Sequence, residues 1–188
     1  GQLMKLMDTI GFLELNSIAK GIEVVDYMLK AADAKLIMAR ASCPGKYYIM
    51  ICGQVAAIER SMEVGVELGG RYVVGELVIP RINSFVIQAI NMAKVPENIR
   101  AVGVLEYYSA TGSIIAADFA VKAADVELIA IQLGTGIAGK SFVVLTGDVA
   151  AVKAAVEAGA NGARDQAMLI NKIVLSNPHP ELIDSLIQ

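Results

Sequence analysis

The chain has 188 residues, of which 55% are hydrophobic and 19% charged, with no Trp and a formal net charge of −3. That balance excludes a broad basic field for nucleic acid, and no apolar run reaches the ~18–20 residues a membrane helix needs. The apolar surface exceeds what two small domains hide internally, which points to large subunit interfaces.

Met4 to Met7 run towards the first strand without a secretory leader, so Cys43 and Cys52 are expected as thiols in a reducing cytoplasm. Ile10 to Leu15 reads as an apolar strand. Asn16 or Ser17 then caps a helix whose buried stripe, by spacing, is Ile18, Ile22, Val25, Leu29 and Ala32. Lys35 to Ser42 and Lys46 to Gly53 read as paired strands joined by Cys43-Pro44-Gly45. Gln54 to Leu68 is a second helix, ended by Gly69-Gly70. Tyr72 to Ile79 is a fourth strand stopped by Pro80, and Asn83 to Asn91 is a short helix.

The same order then returns. Gly11-Phe12-Leu13-Glu14 reappears as Gly103-Val104-Leu105-Glu106, an offset of 92, and Lys30-Ala31-Ala32-Asp33 returns identically as Lys122-Ala123-Ala124-Asp125. Gly53-Gln54-Val55-Ala56-Ala57 meets Gly147-Asp148-Val149-Ala150-Ala151 at an offset of 94. Small insertions of this kind fall in loops. In the second copy the elements are expected to begin near Ala101, Ser109, Glu127, Lys140, Asp148, Met168 and Pro180. Residues 8–92 and 101–188 are thus two domains of one α+β pattern, with 93–100 as the linker.

Gly134-Thr135-Gly136-Ile137-Ala138-Gly139-Lys140-Ser141 matches the spacing of a phosphate-binding loop. That chemistry needs a helix N-terminus directly after the loop. Phe142 to Thr146 is instead a β run, so the segment is read as a tight loop of small residues. Glu14 and Glu106 occupy duplicate positions and are read as such rather than as a catalytic pair. Lys46 and Lys140 follow the two loops and are read as solvated, and Cys52 is read as packing.

The Gly-Phe-Leu-Glu strand, the helix containing Asp26-Tyr27-Met28-Leu29-Lys30-Ala31-Ala32 and the Gly53-Gln54-Val55-Ala56-Ala57 helix start resemble the bacterial microcompartment shell domain. The second copy carries the signature through Asp118, Lys122-Ala123-Ala124 and Gly147-Asp148-Val149. The resemblance implies two tandem BMC domains of a ferredoxin-like variant, each a four-stranded antiparallel sheet with helices on one face. It implies a homotrimer that imitates a hexamer, has a central pore and tiles with shell hexamers. It further implies a structural role with no catalytic residues, no nucleic acid and no membrane, in a microcompartment shell of the cytoplasm. Lys30 and Lys122 fall at the tile edge on this resemblance. Asn177-Pro178-His179-Pro180 resembles an edge motif that the first copy replaces with Pro80-Arg81-Ile82-Asn83.

Within the family, Ser42-Cys43-Pro44-Gly45-Lys46-Tyr47 is similar to the iron–sulfur-bearing tandem proteins of propanediol-utilisation compartments. That resemblance implies that Cys43 from three chains holds one [4Fe-4S] cluster. The pore loops are then Ser42, Cys43, Pro44 and Gly45 with Gly134, Thr135, Gly136, Ile137 and Ala138. Encapsulated or cytosolic redox enzymes would be the electron partners. Two other functions fit the same sequence: a shell trimer whose pore passes metabolites without a cluster, and a duplicated regulatory protein that binds a small molecule.

Overall fold

The computed structural model describes residues 9–91, 96–135 and 139–186. Compact units divide between Ser84 and Phe85. The first contains β1 (Thr9–Leu15), α1 (Ile18–Ala31), β2 (Lys35–Ser42), β3 (Lys46–Gly53), α2 (Val55–Gly69), a 3-10 turn (Gly70–Tyr72) and β4 (Val73–Ile79). Next come α3 (Ser84–Asn91), which joins the second unit from Phe85 onward, β5 (Ala101–Tyr107) and α4 (Ala110–Ala123). The chain continues with β6 (Glu127–Thr135), β7 (Lys140–Gly147), α5 (Val149–Ala163), β8 (Leu169–Leu175) and α6 (Pro180–Leu186).

Each unit holds one four-stranded sheet, in the orders β2-β3-β1-β4 and β6-β7-β5-β8. All pairings are antiparallel. The duplication extends to irregularities. Register shifts occur at Glu14/Leu15 and at Glu106/Tyr107, and again at Leu36/Met38 and Leu128/Ala130. Bulges retained in both copies are built features of the sheet rather than accidents of one sequence.

In the first unit, alternate residues of β1 and β3 divide between two faces. Leu13, Leu15, Tyr47, Ile49 and Ile51 meet Val24, Val25 and Met28 of α1 and Ile58 and Met62 of α2. Both helices therefore cover one face. On the other face Phe12, Tyr48 and Met50 are also fully buried, and the Phe12 and Tyr48 ring centres lie 5.7 Å apart. Ser61 Oγ donates to the Met28 carbonyl at 2.8 Å, tying α2 to α1.

The buried stripe of α1 differs from the expected one. The helix buries Gly21, Val24, Val25 and Met28, whereas Ile18 and Ile22 are exposed. The cause is the Tyr47 ring, which lies so close to Gly21 that a Cβ there would be 2.4 Å from Tyr47 Cδ2. The helix turns its only side-chain-free position towards the bulkiest group on the sheet. Apolar spacing alone does not reveal that rotation.

The second unit reaches the same packing with different groups. Gly21 and Tyr47 are replaced by Ser113 and Ser141, whose hydroxyls are 2.6 Å apart, and Ser141 Oγ donates to the Ser109 carbonyl at 2.6 Å. Its bulky ring comes from β5 instead: Tyr107 lies against Gly112, one residue earlier on α4. Of the two caps expected for the first helix, Asn16 and Ser17, it is Ser17 whose Oγ accepts from Lys20 N–H, and Ser109, expected as the start of the equivalent helix, caps it by accepting from Gly112 N–H. The second helix of the first unit ends as expected near Gly69-Gly70; Gly70 takes φ +53° and its N–H bonds the Val66 carbonyl. Tyr72, expected in β4, closes the 3-10 turn, and its carbonyl accepts from Asn16 N–H at 2.9 Å. No helix among the described residues is long and apolar enough to cross a membrane.

Candidate functional site

Ser42 ends β2 and Lys46 begins β3, and the two are register partners. Cys43, Pro44 and Gly45 form the tip between them, with a cis Cys43–Pro44 peptide. Gly45 takes φ +70°, a conformation that glycine adopts without a Cβ penalty, and a Cβ there would meet nothing within 4 Å. Cys43 is exposed on this tip, while Cys52 is buried near the other end of β3, and burial pushes its thiol pKa up. One thiol is presented and one is packed away, as the sequence suggests. Among the described residues no group of three or more His, Cys, Asp or Glu side chains gathers into a metal site.

The matching hairpin of the second unit joins β6 to β7. Gly134 and Thr135 belong to the end of β6 rather than to a loop, and Thr135 pairs with Lys140. Gly136, Ile137 and Ala138 lie outside the described residues. Gly139 has φ +69°, so the two hairpins enter their second strand through the same left-handed glycine. Lys140 and Ser141 open β7, and no helix begins before Val149. The geometry of a phosphate loop is therefore missing, because no helix N-terminus follows directly on the glycines.

Beneath the Cys43 tip lies a set of polar groups that the sequence reading did not single out. Lys46 is not a solvated cation. Its ammonium is 3.4 Å from Glu14 Oε2, with the lysine side chain 20% and the glutamate 3% exposed. Glu14 faces Tyr48 across β1 and β3, and Arg40 faces Tyr48 across β2 and β3. Burial first, and then the Glu14 charge, push the Tyr48 phenol pKa up to about 12. The legible signal was the mismatch between the copies. Tyr48 and Arg40 correspond to Phe142 and Gln132, which stand opposite the half-buried Glu106 and each other. Lys140 lies 5.9 Å from the centre of the Tyr108 ring.

The residues expected at a tile edge occupy one place in each unit, the last turn of the first helix. Lys30 Nζ is 2.6 Å from Asp26 Oδ2, and Lys122 Nζ is 2.5 Å from Asp118 Oδ2. Carboxylate before ammonium at this spacing also suits the helix dipole. The Lys30 pair is open to solvent, and the hydrogen bond to Asp26 raises the lysine pKa. Asp118 is buried, so the second pair is the more tightly seated. His179 caps α6, its Nδ1 accepting from Glu181 N–H at 3.1 Å.

The BMC domain model matches residues 9–82 and 101–178, one copy in each repeat. The chain is 38% identical to the bacterial microcompartment shell protein PduT of Citrobacter freundii, over 94% of this chain and 96% of that one. It is 39% identical to the shell protein PduA of Salmonella typhimurium over 83 residues, 44% of this chain and 85% of PduA, the length of a single repeat. A solved microcompartment protein from Desulfitobacterium hafniense shares 44% identity and superposes with a TM-score of 0.86, covering 93% of this chain and 97% of that one. Proteins of this kind are structural components of a compartment shell and not enzymes. Two antiparallel sheets with the same bulges, two serine-capped helices and a domain match on each repeat together place this chain in the BMC-domain family of bacterial microcompartment shell proteins, as a tandem member.

Proposed function

We propose that three copies of this chain form a pseudohexameric shell tile around a pore, and that their Cys43 thiolates together hold one [4Fe-4S] cluster there. The observation that carries this reading is an exposed cysteine at a hairpin tip in one of two otherwise matched repeats. The donor set fits the group only when shared. Such a cluster usually takes four Cys ligands, and each chain offers one exposed thiol. A threefold axis multiplies it to three, leaving one iron to water or a small external ligand. Bound there, the cluster would supply one-electron transfer across the shell, between a redox enzyme inside and one in the cytosol.

The chain's own contribution is to present and space the thiol. The Cys43 tip projects from a regular hairpin, and the open side of Gly45 leaves room for neighbouring copies. Gly134, Thr135, Gly136, Ile137 and Ala138 of the second repeat would alternate with it around the axis, and the lack of bulk at Gly134, Gly136, Ala138 and Gly139 would leave space for the group. Lys30 and Lys122 would lie at the tile edges, where other shell proteins of the propanediol-utilisation type meet this one. Similarity to PduT supports the shell assignment.

The test is iron and sulfide analysis with EPR on protein purified without oxygen, as wild type and Cys43→Ser. About one four-iron cluster per three chains, lost in the variant, is the expected result. A wild type that stays colourless after reconstitution refutes the cluster and leaves a shell tile whose pore passes small metabolites.

A further inference from the structure

Two buried oxygen atoms of the first unit, Glu14 Oε1 and Tyr48 Oη, have no hydrogen-bond partner. The Glu14 carboxylate and the Ser42 hydroxyl lie close enough to bias the Tyr48 phenol, yet neither completes a bond to that oxygen. A buried polar atom left in this state needs a partner, and one ordered water with two to four polar neighbours is the usual one. Glu14 Oε1 and Tyr48 Oη offer two such neighbours on facing strands, and Lys46 Nζ, already at the carboxylate, offers a third.

Three features separate this set from ordinary packing. Glu14 is 2% exposed and meets the Lys46 ammonium 3.4 Å from Oε2, a partner that offsets the desolvation of a buried carboxyl. Lys46 is the first residue after the Cys43 turn, so its bond to Glu14 ties the base of the tip to the sheet interior. The set is incomplete beneath the other hairpin, where Glu106 and Lys140 recur but Phe142 replaces Tyr48, and no cysteine is present. The complete set, with its phenol, thus accompanies the thiol. A ligand shared by three chains tolerates displacement of only about half an ångström before the site loosens, and supporting contacts of this kind fix it.

We infer that Glu14, Lys46 and Tyr48, bridged by one trapped water, brace the Cys43 turn and set the position of its sulfur. They are positioning residues, and their purpose rests on the ligand role proposed for Cys43.

The test uses the full chain, metal-free and reconstituted, as wild type, Glu14→Gln, Lys46→Met, Lys46→Arg and Tyr48→Phe. In the metal-free protein, hydrogen exchange is read at the amides of Cys43, Gly45 and Lys46. Glu14→Gln and Lys46→Met are expected to exchange about tenfold faster there, the scale of one lost buried contact. Lys46→Arg keeps the ion pair and restores the wild-type rate. In the reconstituted protein the first two variants shift the EPR signal and the midpoint potential, and Lys46→Arg does not. Tyr48→Phe, which installs the residue of the second copy, folds and shows the same loosening to a smaller degree. Wild-type exchange and a wild-type EPR signal in all four variants overturn the brace. A wild type that takes up no iron and sulfide overturns the cluster instead, and the exchange rates then decide the brace by themselves.

Discussion

Gly21→Ala isolates the contact on which the first hairpin rests. The added Cβ would stand 2.4, 2.5 and 2.6 Å from Cδ2, Cγ and Cβ of Tyr47. Rotating the ring does not relieve this, because the Tyr47 Cβ is itself one of the three atoms. The helix and sheet must separate, in a core where Tyr47 is 8% exposed. Overpacking of this kind costs about 1–3 kcal/mol. Alanine in place of a mid-helix glycine returns about 0.8–1 kcal/mol of helix propensity. The balance is a net loss of about 1 kcal/mol, read as a fall in the urea midpoint with an unchanged slope. The same substitution is then made in a Tyr47→Ser background, which imitates the second copy. With the ring gone only the propensity remains, and Gly21→Ala becomes stabilising. A stabilising effect in both backgrounds, or a loss in both, refutes the argument that Tyr47 sets the approach of α1.

Tyr48 and Tyr107 are both pushed up to about 12 by burial, whereas an unfolded tyrosine titrates near 10. The stabilisation is intact below about pH 10 and is lost as pH rises from there through about 12, by about 2–3 kcal/mol per residue. Urea midpoints that stay flat across that window in a phenolate-monitored titration would contradict this. In metal-free native protein a maleimide should modify Cys43 alone, with Cys52 reacting only on unfolding; two rapid modifications by mass spectrometry would place Cys52 wrongly. Lys30→Ala should hardly change stability, since its ion pair is solvated, but should weaken assembly into sheets while leaving the discrete oligomer intact. Sheets of undiminished extent in electron micrographs would remove Lys30 from the edge. Ser61→Ala should cost about 1 kcal/mol by orphaning the Met28 carbonyl it bonds, and an unchanged urea midpoint would show that water replaces it.

The repeat made most of the fold legible. Identical blocks such as Lys30-Ala31-Ala32-Asp33 and Lys122-Ala123-Ala124-Asp125 fix the equivalence of elements without any knowledge of their packing. Turn chemistry did the same locally, since Cys43-Pro44-Gly45 and Gly69-Gly70 break where the structure breaks. The face of α1 was not legible, because which residue faces the sheet depends on where a tyrosine from a distant strand comes to rest. The Glu14 and Lys46 pair was hidden for a related reason. Burial of both faces of β1 makes the usual alternation uninformative, and a lysine after a turn looks solvated until its partner strand is placed beside it. Reading Glu14 against Glu106 as mere duplicates concealed the difference that matters, which lies in their neighbours Tyr48 and Phe142.

The helix–sheet contact solved once by Gly21 with Tyr47 and once by Ser113 with Ser141 bears on how such a gene changes over generations. Two related repeats side by side in one gene can exchange short tracts where blocks such as Lys30-Ala31-Ala32-Asp33 remain identical. A tract that carries Tyr47 into the place of Ser141 drives a ring against Ser113, and the reverse tract leaves a ring-sized void above Gly21. Either product loses stability, while a tract long enough to move helix and strand together does not. Homogenisation of the halves is thereby opposed by packing itself, and each half is free to keep its own hairpin tip.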